Sequence, residues 1–229
     1  MVSLPRRLLA EFLGTLFLTA VVVGSGVAAA RLSPTDVGLQ LTENAAATAL
    51  GLFAIIAIFA PISGAHLNPV ISLLDAALGR RPWPDAVAYI PTQVAGCVAG
   101  SIAANLMFGL PAVTISSTSR LTPGHFLGEI IATAGLVLVV FLLVRVGRES
   151  LAPAVIGAYI GAAYFFTSST SFANPAITVG RVFSDTFSGI APSSVAGFLA
   201  AQLIGGAIGL ILVRVLTPTP ATRSTGVAG

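Results

Sequence analysis

Two Asn-Pro pairs, Asn68-Pro69 and Asn174-Pro175, and two lone carboxylates, Glu11 and Glu129, stand out among the polar groups set into otherwise apolar stretches of this chain. An asparagine amide offers two N–H donors and an acceptor oxygen, and an ionised carboxylate only accepts. No nucleophile with its base, phosphate-cradling loop or metal cluster accompanies them, so the chemistry on offer is hydrogen bonding to an uncharged guest, and no enzyme is expected. Cys97 stands alone, which leaves neither an internal disulfide nor a cysteine metal cluster. No metal and no cofactor is expected.

The elements that must position these groups follow from local rules. Asparagine is a good N-cap and proline fits the first helical turn, so each pair starts a helix. From each start only about ten residues remain before polar punctuation, which at about 1.5 Å per residue crosses half of a hydrocarbon core of about 30 Å. Paired interrupted segments of this kind point to a conduit. With 55% hydrophobic and 8% charged residues and a mean hydropathy of +0.97, the 229 residues require lipid as their solvent. Full spans are read at about 8–30, 40–62, 86–108, 124–147, 151–168 and 193–216. The fifth is the shortest. Glycines at small-residue spacing, Gly96 with Gly100 and Gly205 with Gly209, suit close helix packing.

All 11 basic residues are arginine, and threading six spans puts Arg6, Arg7, Arg80, Arg81, Arg145, Arg148, Arg214 and Arg223 on one side, against Arg31, Arg120 and Arg181 on the other. The positive-inside rule then makes both termini cytoplasmic, in a multi-pass protein of a cell membrane. No basic stripe interleaved with aromatics suggests a nucleic-acid partner. Glu11 and the absence of a cleavage pattern mark the first segment as a retained span.

The chain repeats itself. Glu11-Phe12-Leu13-Gly14-Thr15 answers Glu129-Ile130-Ile131-Ala132-Thr133, the Asn-Pro pairs lie 106 positions apart, and Gln93-Val94-Ala95-Gly96 answers Gln202-Leu203-Ile204-Gly205. Three spans per half invert the second half relative to the first. The expected fold is therefore an all-α membrane protein, with six transmembrane helices and two re-entrant half-helices in an inverted three-span repeat. It forms a single domain over 1–229, with repeats at about 5–108 and 122–216 and a mobile tail at 217–229. The half-helix N-termini meet at mid-membrane and place Asn68, Pro69, Val70, Asn174, Pro175 and Ala176 at the centre. Each N-terminus carries about +0.5 elementary charge, so cations are repelled and small uncharged solutes face the lowest barrier. The irregular lead-ins, Ser63-Gly64-Ala65-His66 and Thr167 to Ser171, can expose a ladder of carbonyls along a wet cavity. Gly64, Ala65 and His66 are its expected lining.

At these residues the chain resembles the aquaporin family, also called major intrinsic proteins, over about residues 5–216. The resemblance implies that Asn68 and Asn174 lie at the pore centre, that Glu11 and Glu129 anchor the half-helix loops, and that four copies assemble in the bilayer as a homotetramer, each with its own pore. Most members place an arginine directly after the second Asn-Pro-Ala, where this chain has Ile177. Counting as the family does, the remaining filter positions are Thr48, Ala162 and Ser171, none of them bulky or charged. The stretch Phe166 to Ala176, followed by Ser184-Asp185-Thr186-Phe187, looks like a bacterial subgroup associated with arsenic resistance. The implied cargo is neutral metalloid hydroxides, arsenous and antimonous acid, and glycerol-like polyols, with some water flux. A water-selective channel, a glycerol facilitator and a proton-coupled secondary transporter are the alternatives.

Five residues invite further readings. Arg181, one helical turn beyond Ile177, either leans back to restore the missing charge or, as preferred here, sits solvated or paired with headgroups at the outer surface. Val70, in place of the first motif's alanine, suggests tighter packing. His66 lines the inner vestibule or is held by backbone hydrogen bonds. His125 starts the fourth span at the interface, and Glu43 borders the outer vestibule with no assigned task.

Overall fold

The computed structural model describes residues 2–217, so the tail expected at 217–229 lies, from residue 218 onward, outside the described residues. Among the described residues the regular elements are all helical. The long helices are α1 (Leu4–Leu32), α2 (Val37–Ser63), α4 (Trp83–Met107), α5 (Pro123–Arg145) and α8 (Pro192–Leu216). The half-helices are α3 (Pro69–Ala77) and α7 (Pro175–Gly180), and α6 (Ala152–Phe166) completes the set. Six segments are long and apolar enough to cross a bilayer, the shortest being α6 with the 3₁₀ turn Glu149–Leu151 before it. Prolines near their N-termini open most of the helices, where the missing N–H costs no hydrogen bond. The side chains of Asp36 and Thr122 cap α2 and α5.

Small residues draw the helices together where lipid supplies no hydrophobic drive. A Cβ on Gly96 of α4 would strike the carbonyl of Phe12 in α1, and one on Gly100 the carbonyl of Leu16. The second half reproduces this pairing: Gly205 of α8 lies against Ile130 O of α5, and Gly209 against Ala134 O. α2 crosses α6 at Gly157, whose added Cβ would lie 2.7 Å from Ala49 O. Leu9, Phe17, Phe53, Ile58, Val87 and Ile211 face outward, as a lipid-facing surface requires.

The half-helices meet at their N-termini. Asn68 accepts from Val70 N (2.9 Å) and caps α3, while Asn174 accepts from Ala176 N (3.0 Å) and Ile177 N (3.3 Å) and caps α7. Asn68 Nδ2 donates to Ala173 O (2.8 Å) and Asn174 Nδ2 to Leu67 O (2.7 Å), so each tip is tied to the other half's loop. The second half-helix is shorter than the expected ten residues: α7 has six, and tightens into a 3₁₀ turn at Arg181–Phe183.

Candidate conduction pathway

The lead-ins to the two half-helices have the same backbone. Ala65 (φ 46°) and Leu67 (φ 53°) are left-handed, and so are Ser171 (φ 51°) and Ala173 (φ 47°), their equivalents 106 positions on. Each such conformation costs a non-glycine residue roughly 1–3 kcal/mol, so the surroundings must impose it. The buried glutamates do so. Glu11 accepts from Ser63 Oγ (2.6 Å), His66 N (3.0 Å), Leu67 N (2.7 Å) and Gln93 Nε2 (2.8 Å). Glu129 accepts from Phe172 N (2.9 Å), Ala173 N (2.9 Å) and Gln202 Nε2 (2.6 Å). Gln93 and Gln202 also reach the half-helices, at Ser72 Oγ (3.0 Å) and Thr178 Oγ1 (2.9 Å). With the N–H groups turned toward a carboxylate, the carbonyls of Gly64, Ala65 and His66 receive no protein hydrogen bond among the described residues, and all three residues stand in a cavity wall.

That cavity, of about 340 Å³, runs past both asparagines from Val22 and Arg181 at one end to Arg81 and Glu149 at the other. Asn68 and Asn174 both line it. Each uses one amide N–H on the opposite loop, which leaves its second N–H for the cavity. Aliphatic side chains, among them Leu52, Ile71, Ile156 and Ile160, form most of the facing wall. Ile71 is the 106-residue counterpart of Ile177. Pro69, Pro175, Val70 and Ala176 stand behind the wall and form the joint between the half-helices. Val70 fits over Gly206 of α8, where an added Cβ would come within 2.6 Å of Val70 Cγ1, so a small residue in α8 makes room for the larger one in the motif.

Of the expected filter positions, Thr48, Ser171 and Ile177 stand in the wall, and Ala162 does not. Ala162 is exposed on the outer face of α6. The cavity stripe of α6 is Ala152, Ile156, Ile160 and Tyr164, spaced four apart, and a residue two places from that stripe points about 200° away from it. Tyr164 takes the place assigned to Ala162, its hydroxyl 3.1 Å from Thr48 Oγ1. This wall thus carries an aromatic ring where a small side chain was expected.

Arg181 also departs from the preferred expectation. It is 3% exposed, lines the cavity, donates through Nε to Ser188 O, and lies 3.4 Å over the Phe172 ring. The segment after the 3₁₀ turn folds back over it, which a count of residues from Ile177 could not show. At the opposite mouth His66 is held by side chains instead of backbone. Its Nδ1 is 3.1 Å from Ser72 Oγ and its Nε2 is 3.3 Å from Asp75. Asp75 also pairs with Arg80 Nε (2.9 Å), and Arg81 donates to Ser63 O (2.8 Å). The signal for this cluster was an acid one turn ahead of the Gly79-Arg80-Arg81 turn. Glu43 accepts from Ser33 Oγ (2.8 Å) and is not in the cavity wall. His125 Nδ1 contacts Arg120 O in the loop that opens α5.

The family model described as Major intrinsic protein matches residues 1–173. Aquaglyceroporin AqpS of Rhizobium meliloti (strain 1021) is 46% identical, covering 97% of this chain and 96% of that protein. Aquaporin AqpM of Methanothermobacter thermautotrophicus is 30% identical over 93% of this chain and 96% of that protein. Among solved structures, the aquaglyceroporin from Plasmodium falciparum superimposes with a TM-score of 0.69 at 23% identity, covering 92% of this chain and 94% of that one, a likeness of fold.

Proposed function

The chain belongs to the major intrinsic protein family, and from that premise we propose that it conducts small uncharged solutes passively. Metalloid hydroxides such as arsenous acid and glycerol-like polyols are the cargo, with accompanying water flux and exclusion of ions. The observation that carries this reading is the wall at Ile177: an aliphatic side chain beside Thr48 and Ser171, in one cavity with both capped asparagines. A solute of several heavy atoms can lay its C–H or central-atom face on Ile177, Ile71 and Leu52. Its oxygens then meet the free carbonyls of the lead-ins and the spare N–H of each asparagine. Two converging helix N-termini and a wall without bulk water disfavour cations, and anions pay the desolvation penalty. A relative named aquaglyceroporin supports the polyol part of the proposal. Its metalloid part rests on the uncharged hydroxyl-rich chemistry that arsenous acid shares with glycerol.

Stopped-flow light scattering of proteoliposomes facing water, glycerol and arsenous acid gradients tests it, with Ile177→Arg as the comparison. The wild type is expected to pass all three, and the arginine variant to lose the two larger solutes by at least about tenfold while retaining water, since a cation there replaces an apolar contact with a bulky hydrated group. Equal solute flux through both proteins would remove Ile177 as the determinant.

A further inference from the structure

The cavity keeps a cation without a counter-ion. Among the described residues no carboxylate lies within salt-bridge distance of Arg181, and only its Nε makes a hydrogen bond, to Ser188 O. Among the described residues its two terminal nitrogens find no protein partner, and they are not sealed from the cavity. A buried polar group left so is satisfied by whatever occupies the space in front of it. Two features hold the guanidinium in place. The Phe172 ring centre lies 3.4 Å from its guanidinium carbon, and Arg120, also over that ring at 5.5 Å, donates to Gly189 O (2.6 Å) and Phe187 O (2.8 Å), bracing the segment that carries Ser188. Ser171 Oγ, in the same wall, is buried and has no partner among the described residues. Thr48 and Tyr164 share one hydrogen bond between two hydroxyls, which leaves one of their protons unassigned.

Resting on the channel reading above, we infer that Arg181 is a specificity-determining residue. With Ser171, Thr48 and Tyr164 it forms a polar subsite, one helical turn from the apolar position 177, that takes the oxygens of a polyol or oxygen-rich neutral hydroxide and turns cations away. Ile177 supplies the apolar side of the same passage. Charge and aperture are thereby separated: the guanidinium stands back against Phe172 instead of crossing the path. The Asp75 cluster at the opposite mouth offers no equivalent, because its cations already face a carboxylate.

The test uses the full-length protein reconstituted in proteoliposomes and planar bilayers, with Arg181→Leu, Arg181→Lys, Arg181→Gln and Ser171→Ala. For Arg181→Leu the glycerol-to-water permeability ratio is expected to fall by about tenfold, the scale of one lost charged hydrogen bond, and a potassium or proton conductance absent from the wild type to appear. Arg181→Lys should keep cation exclusion while lowering the ratio, because a point charge lacks the planar fork. Ser171→Ala should lower the ratio by a few-fold. If Arg181→Leu does not fold, the same fall in ratio is required of Arg181→Gln, which retains a donor for Ser188 O. A leucine or glutamine variant with wild-type thermal stability, an unchanged ratio and no cation conductance would overturn the assignment. A wild type that passes water and no glycerol would instead overturn the proposed cargo, while the conductance measurement would still judge Arg181.

Discussion

A carboxylate removed from water costs several kcal/mol unless donors fill its lone pairs, and Glu129 meets that condition with two backbone N–H groups and the Gln202 amide. Glu129→Gln should therefore weaken the fold. The new amide turns an N–H toward a backbone N–H, and the loss is expected at about 1–3 kcal/mol, read as a lower melting temperature in detergent. A melting temperature equal to the wild type's would mean the carboxylate does not hold the loop. The asparagines and the glutamates were legible because their types are rare in apolar sequence and recur at a fixed offset, and Ile177 because it directly follows the second Asn-Pro-Ala. Ala162 was misplaced for the opposite reason. α6 is apolar nearly all round, so nothing in Ala152 to Phe166 distinguishes the cavity face from the lipid face, and an error of two residues exchanges them. Arg181 was misjudged because its burial depends on Ser188 and Phe172, contacts that sequence spacing does not encode.

The helices themselves were readable to within a few residues, since hydropathy and N-terminal prolines mark them, and the packing glycines declared their spacing. What they touch required coordinates. Gly205→Ala would push a methyl group into Ile130 O, a backbone atom that cannot rotate away, and should cost about 1–3 kcal/mol as overpacking. Gly124→Ala is its control, because the nearest atoms there are 3.8 Å away. Thermal unfolding of the two variants in one detergent should separate them clearly, and coincident curves would mean α5 and α8 can part without penalty. The brevity of α7 was not legible: the switch to a 3₁₀ turn at Arg181 follows from what lies over it, and Ile177 to Phe183 contains no helix-breaking residue beyond Gly180.

For the molecule entire, the distribution of arginine along the chain predicts that reporters fused near residue 3 and after residue 216 both face the cytoplasm, and a signal from the opposite side of the membrane for either would refute that orientation. Solute flux should rise in proportion to concentration and ignore a proton gradient, because both intramembrane glutamates are fully engaged by donors; saturation coupled to protons would favour a carrier. The reciprocal amide ties bear on how such a protein can be divided. Asn68 closes on a carbonyl from the second half and Asn174 on one from the first. Neither half owns a finished aperture, like an arch whose two springers each lack a keystone. A gene cut in the stretch joining α4 to α5 should accordingly give two fragments that are inert apart and regain permeability only when co-expressed.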